Sequence, residues 1–430
     1  MNRADLAVCD CSQILTCQGP IPKRKDDLQD VGLLKNGCIA SLKGEIVFVG
    51  TGEAFDREVR MTDDGIRIDG KGLTALPGFV DPHTHLPFAG SREEEFNLRV
   101  KGYTYQQLAR QGMGIQTTVH ATRQASEEEL LSLCLSRLDS MLAHGTTTVE
   151  AKSGYGLNKT DELKQLRVLK KADKIHPVDI VSTFLGAHEV PLEYKDRKAE
   201  YMELLIREIL PEVKNANLAE YFDVFCEEGV YSIEETREMI KKAKEEGFKI
   251  KIHADEFTPL GGAQLAVEEG AVSAEHLIAI TDEGIEKMAQ SPTAAILLPG
   301  VSFFLMQQKT APAREMIDRG AIVALATDFN PGSSMTESML FILQLAVFTL
   351  KMRIEEAINC TTANASYALG KQTQVGSLEV GKKMDLVLWD VPNYPYLVYH
   401  LGINPAKHVI KDGRIVVRNG KILRVSDDPS

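Results

Sequence analysis

The residues best suited to chemistry are two histidines one residue apart, His83 and His85, in the run ALPGFVDPHTHL that begins at Ala75. Alternate side chains of a β-strand point to the same face, so the two imidazoles can approach one point. Neutral imidazole is a common protein ligand of zinc and related metals, and this spacing leaves room for ligands from elsewhere in the chain. An H-x-H pair is short enough to arise by chance, so its meaning depends on the rest of the sequence.

The elements that would position these histidines follow a regular rhythm from about Leu76 to Gly370. Amphipathic stretches alternate there with eight short apolar runs of strand character: GFVD, TTTVEAK, DIVSTFLGAH, YFDVFC, FKIKIHAD, AVSAEH, TAAILLP and AIVALATD. The stretch after the first run is helical in pattern, because Ser126 and Glu129 fit a capping box and Gly145 fits a C-terminal stop. The rhythm predicts an α/β fold, a (β/α)8 TIM-like barrel whose active site lies at the C-terminal ends of its strands.

The two ends of the chain, residues 1–75 and 371–430, show a different pattern of short strands separated by tight turns. The dipeptides that predict β-hairpin turns are Lys43-Gly44, Asp69-Gly70, Asp412-Gly413 and Asn419-Gly420. Chain termini usually lie near each other on the surface of a domain. We therefore expect both ends to form one small β-sandwich module beside a barrel of residues 76–370.

Side chains that can bind metals or transfer protons concentrate at the predicted carboxyl ends of the barrel strands. They are His83, His85, Lys152, Tyr155, His188, Glu227, His253, Glu256, His276 and Asp328. Five of the ten histidines are in this set. One histidine at a strand end is usually structural, but five that meet at one barrel mouth indicate a functional site. The other five fall in helical or terminal segments, where we interpret them as structural or surface residues.

The ligand types in this set suit a mononuclear metal site. Three imidazoles and one carboxylate can hold one divalent ion, zinc or iron(II), and still leave a position for water. The predicted ligands are His83, His85, His253 and Asp328. A bound metal lowers the pKa of its water toward ~7, so that hydroxide becomes available at neutral pH. Glu256 and His276 could then transfer protons beside it, and with Asp328 they form the predicted catalytic set. The sequence leaves open whether His276 is a further ligand.

Around these residues the chain resembles the metal-dependent amidohydrolase superfamily. The shared motifs are DPHTH after the first barrel strand, HADE after the fifth, SAEHL after the sixth and ATDFNPG after the eighth. A small β module built from both termini is similar as well. Four longer segments, DPHTHLPFAGSREEEF, SGYGL, GAHEVP and ATDFNPGSS, are similar to the members that hydrolyse the ring amide of 4-imidazolone-5-propanoate to N-formimino-L-glutamate in histidine degradation. The resemblance covers essentially the whole chain.

This resemblance implies a small-molecule substrate that carries a carboxylate. Arg92, helped by Tyr155, would bind the propionate, and Tyr105 and His188 would lie near the ring. The other pocket residues that the resemblance implies are Glu256, Asn330, Gly332 and Ser333. A guanidinium does suit bidentate binding of a carboxylate. The residues alone also allow a second interpretation, in which Arg92 pairs with one of the glutamates at positions 93–95 in a solvated run of charges.

The number of metals and the type of reaction have alternatives. Binuclear amidohydrolases use a modified lysine at the end of the fourth strand, whereas here that strand ends at Cys226-Glu227-Glu228, so we expect one metal. Lys152, at the second strand end, leaves a second metal open. The same ligands would serve an aminohydrolase that removes ammonia from a heterocyclic base, although such a base has no carboxylate for Arg92. A catalytically inactive scaffold is disfavoured because no ligand of the pattern is missing.

The composition sets the cellular context. An apolar fraction of 43% and a charged fraction of 26% over 430 residues are those of a globular protein, and the net charge of −12 argues against nucleic acid or acidic lipid as a partner. The seven scattered cysteines favour a reduced compartment and a role in the core. No signal peptide or membrane span is evident, so we expect a cytoplasmic enzyme. Barrel enzymes of this kind are often homodimers, but the sequence shows no interface.

Overall fold

The computed structural model describes residues 1–103, 107 and 113–423. In chain order, the strands of these residues are β1 (Asn2–Leu15), β2 (Leu33–Leu42), β3 (Glu45–Thr51), β4 (Val59–Asp69), β5 (Thr74–Pro77), β6 (Phe79–Asp81), β7 (Thr146–Lys152), β8 (Asp179–Ala187), β9 (Tyr221–Cys226), β10 (Lys249–Ala254), β11 (Ser273–His276), β12 (Ala294–Leu297), β13 (Ile322–Leu325), β14 (Leu386–Trp389), β15 (Ala406–Lys411), β16 (Arg414–Arg418) and β17 (Lys421–Ile422).

The α-helices of the same residues are Gly52–Glu58, Glu93–Val100, Ile115–Gln124, Glu127–Ala143, Lys159–Ile175, Lys198–Leu204, Leu210–Asn215, Ile233–Glu245, Gly262–Glu268, Asp282–Ala289, Pro299–Phe304, Ala313–Arg319, Met339–Thr349, Ile354–Cys360, Ala363–Tyr367 and Tyr396–Tyr399. Short 3-10 helices lie at Lys25–Gln29 and Leu192–Tyr194, and a π-helical turn lies at Leu205–Ile209. None of these helices is long and apolar enough to cross a membrane.

Strands β6 to β13 form a parallel, eight-stranded sheet in which each strand pairs with the next along the chain. The first and last strands approach each other through a bridge between Thr84 and Phe329. Asp81 strengthens this closure, since its buried carboxylate accepts hydrogen bonds from the Thr327 N–H at 3.1 Å and the Thr327 hydroxyl at 2.6 Å. The predicted barrel is confirmed, and its eight strands lie in the eight predicted runs. The segments that follow them meet at one mouth.

The helix Glu127–Ala143 shows how local sequence fixes these elements. Ser126 accepts a hydrogen bond from the Glu129 N–H at 3.1 Å, and the Glu129 carboxylate accepts one from the Ser126 N–H at 2.8 Å, so the predicted capping box is confirmed. Gly145 ends the helix with a φ of +88°, as predicted, and a Cβ there would lie 3.1 Å from the Trp389 ring. Glycine therefore permits both the turn and the close packing against β14.

Both ends of the chain form one nine-stranded sheet, in which β5 pairs antiparallel with β14. Three of the predicted hairpin turns are present, between β2 and β3, between β15 and β16, and between β16 and β17. The prediction of a hairpin at Asp69-Gly70 is wrong. Strands β4 and β5 both lie parallel to β1, one after the other along the same edge, because β1 is long enough to pair with both. The division of the chain at residues 75 and 370 stays a prediction.

The cysteines belong to the packed interior, as the sequence indicated. All seven are buried and free. A bulge in β1 between Val8 and Cys11 puts Cys9 and Cys11 on opposite faces of the strand. Cys9 therefore packs with Cys38 and Phe48, while Cys11 packs with Val8.

A cluster of charges lies where the terminal sheet meets the barrel. We call it the junction cluster; its members are Asp179, Lys383, Asp385, Lys411 and Asp412. Lys411 is 2% exposed, and its Nζ lies 3.0 Å from Asp179 Oδ2, 3.2 Å from Asp385 Oδ2 and 2.9 Å from Asp412 Oδ2. Burial alone would lower the pKa of Lys411, but the three carboxylates raise it above its ordinary value. Asp179 begins β8, so this cluster lies at the end of the barrel opposite the mouth.

Candidate active site

Side chains from three strand ends converge at the barrel mouth. The Nε2 atoms of His83 and His85 are 3.3 Å apart, and Asp328 Oδ1 lies 3.1 Å from the first and 3.2 Å from the second. His253 completes the group, because its ring centroid is 4.6 Å from that of His83. The ligand atoms of the three histidines lie within 4.8 Å of one another, as do those of His83, His276 and Asp328. The structure thus brings the four predicted metal ligands together.

The hydrogen bonding of these atoms tests whether a metal fits. His253 Nε2 and His276 Nε2 are buried without a hydrogen-bond partner among the described residues. A buried polar atom left in this state costs about 1–3 kcal/mol, so converging atoms of this kind call for a ligand. Burial lowers the pKa of His85 to about 4, which keeps its imidazole in the neutral form that binds metals. Nitrogen and carboxylate donors in this arrangement fit a divalent metal ion.

Carboxylates behind the imidazoles fix the orientation of two rings. His83 Nδ1 contacts Glu275, and His253 Nδ1 lies 3.0 Å from Asp223 Oδ2. Because each Nδ1 is engaged in this way, each Nε2 is the nitrogen available to a metal. Asp328 is held from the other side, since Ser333 Oγ donates to its Oδ2 at 3.1 Å. Hydrogen bonds from the imidazoles outweigh burial and hold the pKa of Asp328 well below its ordinary value.

The backbone at two of the proposed site residues is left-handed. Asp328 has a φ of +50° and His276 a φ of +74°. Such conformations are unfavourable for residues with a side chain and persist where the surrounding structure imposes them. At Asp328 the imposing contacts are backbone hydrogen bonds, from the Asp328 N–H to the His83 carbonyl and from the His85 N–H to the Phe329 carbonyl, both 3.0 Å. The first and last barrel strands therefore fix the ligands to each other.

Glu256 and His276 lie beside this group. Glu256 Oε2 is 3.6 Å from His276 Nδ1, and both side chains are buried. Burial, with the nearby Asp328 and Glu227 carboxylates, raises the pKa of Glu256 well above its ordinary value. Burial also lowers the pKa of His276 well below its ordinary value, so its ring is neutral at pH 7. The raised pKa favours a protonated Glu256 carboxyl that can donate a proton, and the neutral His276 ring beside it can form hydrogen bonds.

Sequence reasoning named Glu227 as a strand-end residue but gave it no role. Its carboxylate accepts hydrogen bonds from the N–H groups of Glu256, Phe257 and Thr258 at 3.1, 3.0 and 3.1 Å, and it also contacts the Thr258 hydroxyl. Glu227 thereby fixes the loop that carries Glu256. The sequence did indicate this role through the position of Glu227 at the end of β9, because β9 lies next to β10.

A cavity of about 740 Å³ opens over these residues. Among the residues that line it are the predicted site residues His85, Arg92, Tyr155, His188, His253, Glu256, His276, Asp328, Asn330, Gly332 and Ser333. His83 lies beneath, inaccessible to solvent. Tyr105 lies outside the described residues.

Arg92 is part of the cavity wall and forms a buried ion pair. Its Nε and Nη2 donate to the Glu95 carboxylate at 2.9 and 2.6 Å, and both side chains are less than 10% exposed. The alternative interpretation, a solvated run of charges, is therefore correct that Arg92 pairs with a neighbouring glutamate. It is wrong about solvent exposure, because the Arg92–Glu95 pair is buried. The Arg92 Nη1 lies over Gly332, where a Cβ would be 2.2 Å away, so glycine leaves room for the guanidinium.

Asn330 shapes the loop beside it. Its Oδ1 accepts hydrogen bonds from the N–H groups of Gly332 and Ser333 at 2.8 and 2.9 Å, and its Nδ2 donates to the Asp328 carbonyl at 2.7 Å. Substrate contacts of these loop residues stay a prediction.

Two aromatic rings, those of His188 and Tyr155, also line the cavity. His188 stacks on His85 with centroids 5.0 Å apart, and the Tyr155 centroid is 5.4 Å from that of His188. His188 Nδ1 donates to the Gly154 carbonyl at 3.1 Å, which leaves Nε2 as an acceptor. Burial lowers the pKa of His188 well below its ordinary value, so this acceptor is present at neutral pH.

Known proteins share both the sequence and the fold. A sequence model of the amidohydrolase family matches residues 74–416. The chain belongs to the amidohydrolase family. A protein named imidazolonepropionase from Alkaliphilus oremlandii (strain OhILAs) is 46% identical over 420 residues, 97% of this chain and 99% of the relative. Another of that name, from Geobacillus kaustophilus (strain HTA426), is 49% identical over 414 residues, 95% of this chain and 97% of the relative. The predicted family resemblance is confirmed.

Solved structures of two other enzymes have the same fold. An adenosine deaminase from Xanthomonas campestris with bound zinc matches with a TM-score of 0.73 at 17% identity, over 99% of this chain and 95% of that one. A triazine hydrolase variant matches with a TM-score of 0.75 at 15% identity, over 98% and 96% of the two chains. Likeness at this level of identity shows the fold alone.

In this amidohydrolase, Lys152 ends β7 but lies beneath the mouth, inaccessible to solvent. Its Nζ is 2.6 Å from Glu150 Oε1 and 2.8 Å from Asp223 Oδ2. The amine is thus engaged inside the barrel, and it does not line the cavity. The expectation of a single metal stays a prediction.

Proposed function

We propose that this chain hydrolyses the ring amide of 4-imidazolone-5-propanoate to N-formimino-L-glutamate, a step of histidine degradation. The observation that carries the proposal is that one cavity holds both a cluster of metal-type ligands and a buried arginine. The relatives named imidazolonepropionase, which align over almost the whole chain, support the same substrate. We place the reaction in the cytoplasm, which seven free cysteines support. A homodimer stays a prediction.

We propose one divalent ion, zinc or iron(II), at the barrel mouth. The residues that would hold it are His83, His85, His253 and Asp328. When bound, such an ion supplies hydroxide at neutral pH by lowering the pKa of a water molecule toward ~7. The Ser333 hydroxyl keeps Asp328 Oδ2 occupied, so Oδ1 is the oxygen that faces the imidazoles.

Two protons must move during ring opening, and Glu256 is placed to carry them. Attack on the ring carbonyl requires a base for the water, and departure of the ring nitrogen requires an acid, because an amide nitrogen leaves poorly as an anion. A carboxyl group with a raised pKa can serve both needs in turn. The neutral imidazole of His276, 3.6 Å away, can donate a hydrogen bond to the oxyanion that develops between the two steps.

The cavity wall supplies substrate binding. Glu95 engages the Nε and Nη2 of Arg92, and the guanidinium beside Gly332 remains available to the propionate from its Nη1 side. Tyr155 and His188 would orient the ring, the second as a hydrogen-bond acceptor. By resemblance, Tyr105 belongs to the same set.

The direct test uses purified, metal-loaded protein with two types of substrate. We expect loss of the imidazolone absorbance together with formation of formiminoglutamate, and no release of ammonia from adenosine or guanine. The same assay on Arg92→Met tests the discriminating feature, because Arg92, with Tyr155, is expected to bind a carboxylate that a nucleobase lacks. Ammonia release from a base, without turnover of the imidazolone, would favour the aminohydrolase alternative and contradict the proposal.

A further inference from the structure

A network of lysines and carboxylates fills the barrel interior beneath the proposed metal ligands. Its five charged side chains are all inaccessible to solvent; they are Glu150, Lys152, Asp223, Lys251 and Glu275. Lys152 Nζ is 2.6 Å from Glu150 Oε1 and 2.8 Å from Asp223 Oδ2. The same Nζ is 3.1 Å from Glu275 Oε2, while Lys251 Nζ is 2.7 Å from the other oxygen of that carboxylate. Buried charges persist only when they are paired in this way.

Two oxygen atoms of the network are shared with the proposed metal ligands. Asp223 Oδ2 is 3.0 Å from His253 Nδ1, and Glu275 Oε2 contacts His83 Nδ1. These are the same two oxygens that contact the Lys152 ammonium. One buried ammonium therefore supports imidazoles that reach the mouth from two different strands.

The place that the Lys152 ammonium occupies could otherwise hold a metal cation. The ligand atoms of Asp223, His253 and Glu275 lie within 4.8 Å of one another, close enough to hold a metal. Lys152 contacts two of these three groups, so the chain supplies its own positive charge at that place. This agrees with the expectation of a single metal at the mouth.

We propose that Lys152 is a positioning residue for metal binding. Its ammonium fixes the carboxylates of Asp223 and Glu275, and these orient the imidazoles that bind the metal. The inference rests on the proposed metal site but not on the identity of the substrate. Carboxylates that hydrogen-bond to ligand imidazoles typically change metal affinity ~10–100-fold, and we expect an effect of that size when their support is removed.

The test requires a variant that keeps the charge of the network balanced. Lys152→Met alone leaves three buried carboxylates facing one lysine and is expected to destabilise the fold strongly. The decisive variant is therefore the full chain with Lys152→Met and Glu150→Gln, which removes one positive and one negative charge together. The matched control is Lys411→Met with Asp385→Asn, which removes an equally buried pair of opposite charges from the junction cluster.

Two measurements without substrate give the answer: zinc affinity, by competition with a chromophoric chelator, and the visible spectrum of the cobalt(II) form, which reports ligand geometry. We expect the Lys152 double variant to fold, to bind zinc ~10–100-fold more weakly and to show an altered cobalt spectrum, while the control keeps both wild-type values. Wild-type affinity and spectrum in the Lys152 double variant, or failure of that variant alone to fold, would overturn the proposal. Zinc binding by the wild type without turnover of the imidazolone would contradict the proposed function and leave the inference on Lys152 standing.

Discussion

The two ends of the barrel each bury a cluster of charge, and the clusters differ in how they are partnered. At the closed end, Lys411 of the junction cluster lies within 3.2 Å of three carboxylates. At the mouth, His253 Nε2 and His276 Nε2 are equally buried but have no hydrogen-bond partner among the described residues. Burial of charge is common to both clusters, so burial alone does not mark a site. A functional site is marked instead by converging buried atoms that lack hydrogen-bond partners.

The two clusters also have different roles in the protein. The junction cluster joins the terminal sheet to the barrel and contributes to the fold, whereas the atoms at the mouth are held in an unfavourable state that a metal relieves. Variants at the two ends should therefore fail in different ways.

Removal of a ligand at the mouth should have the largest effect. His253→Ala or Asp328→Ala deletes one of the four proposed ligands, so bound metal and turnover should both fall to background. Elemental analysis and the activity assay on the same samples measure this. A full metal complement in either variant would mean that the ligand set is wrong and that the unpartnered atoms serve another purpose.

Removal of the proposed proton carrier should have the next largest effect. Glu256→Gln is expected to keep metal and substrate affinity but to lower kcat by ~10²–10⁴, the usual range for a lost general acid or base. Glu227→Gln is the matched control, because it weakens the hydrogen bonds to the loop while the Glu256 carboxylate stays, and its loss should be smaller. Recovery of Glu256→Gln activity with excess zinc would show that Glu256 only supports a ligand.

Removal of the arginine in the cavity wall should have a moderate effect. Arg92→Met is best combined with Glu95→Gln, so that no buried carboxylate is left unpaired. Loss of hydrogen bonds to the propionate, ~1.5–3 kcal/mol, should lower kcat/KM by about 10–150-fold with unchanged metal content. Unchanged kinetics would mean that Arg92 has a structural role in the cavity wall and does not bind the substrate.

A junction variant should have the smallest effect on turnover and a large effect on stability. Lys411→Met breaks a buried ion-pair cluster, so the free energy of unfolding should fall by ~3–5 kcal/mol, as measured by urea denaturation. The folded molecules should retain metal and kcat, because the cluster lies at the far end of the barrel. A loss of kcat at constant metal content would remove the distinction between the two clusters.

The barrel and its mouth could be predicted because their signals are local. Each strand appears as a short apolar run, and parallel strands in a barrel bring all their carboxyl ends together, so His83, His253 and Asp328 could be assigned to one site from sequence alone. The turn at Asp69-Gly70 could not be interpreted in the same way. The dipeptide indicates a reversal of chain direction. The observed path of the chain depends instead on the length of β1, a strand far away in the sequence that pairs with both β4 and β5.

Side-chain partners were the other part that sequence did not determine. Glu95 pairs with Arg92 inside the wall only because the tertiary structure buries both, and the N–H of Gly114 supports the carboxylate. For Lys152 a signal did exist. Glu150 and Lys152 are two apart on a fully buried strand, so they share the inward face, and a lysine there must lie among carboxylates rather than at the mouth.

A single metal at the barrel mouth can be tested by titrating metal-stripped protein with zinc while the imidazolone absorbance is followed. We expect no turnover in the stripped protein and a rise in turnover that reaches its plateau at one equivalent of zinc per chain. Full turnover without metal, or a plateau that requires two equivalents, would contradict a single-metal site held by His83, His85, His253 and Asp328.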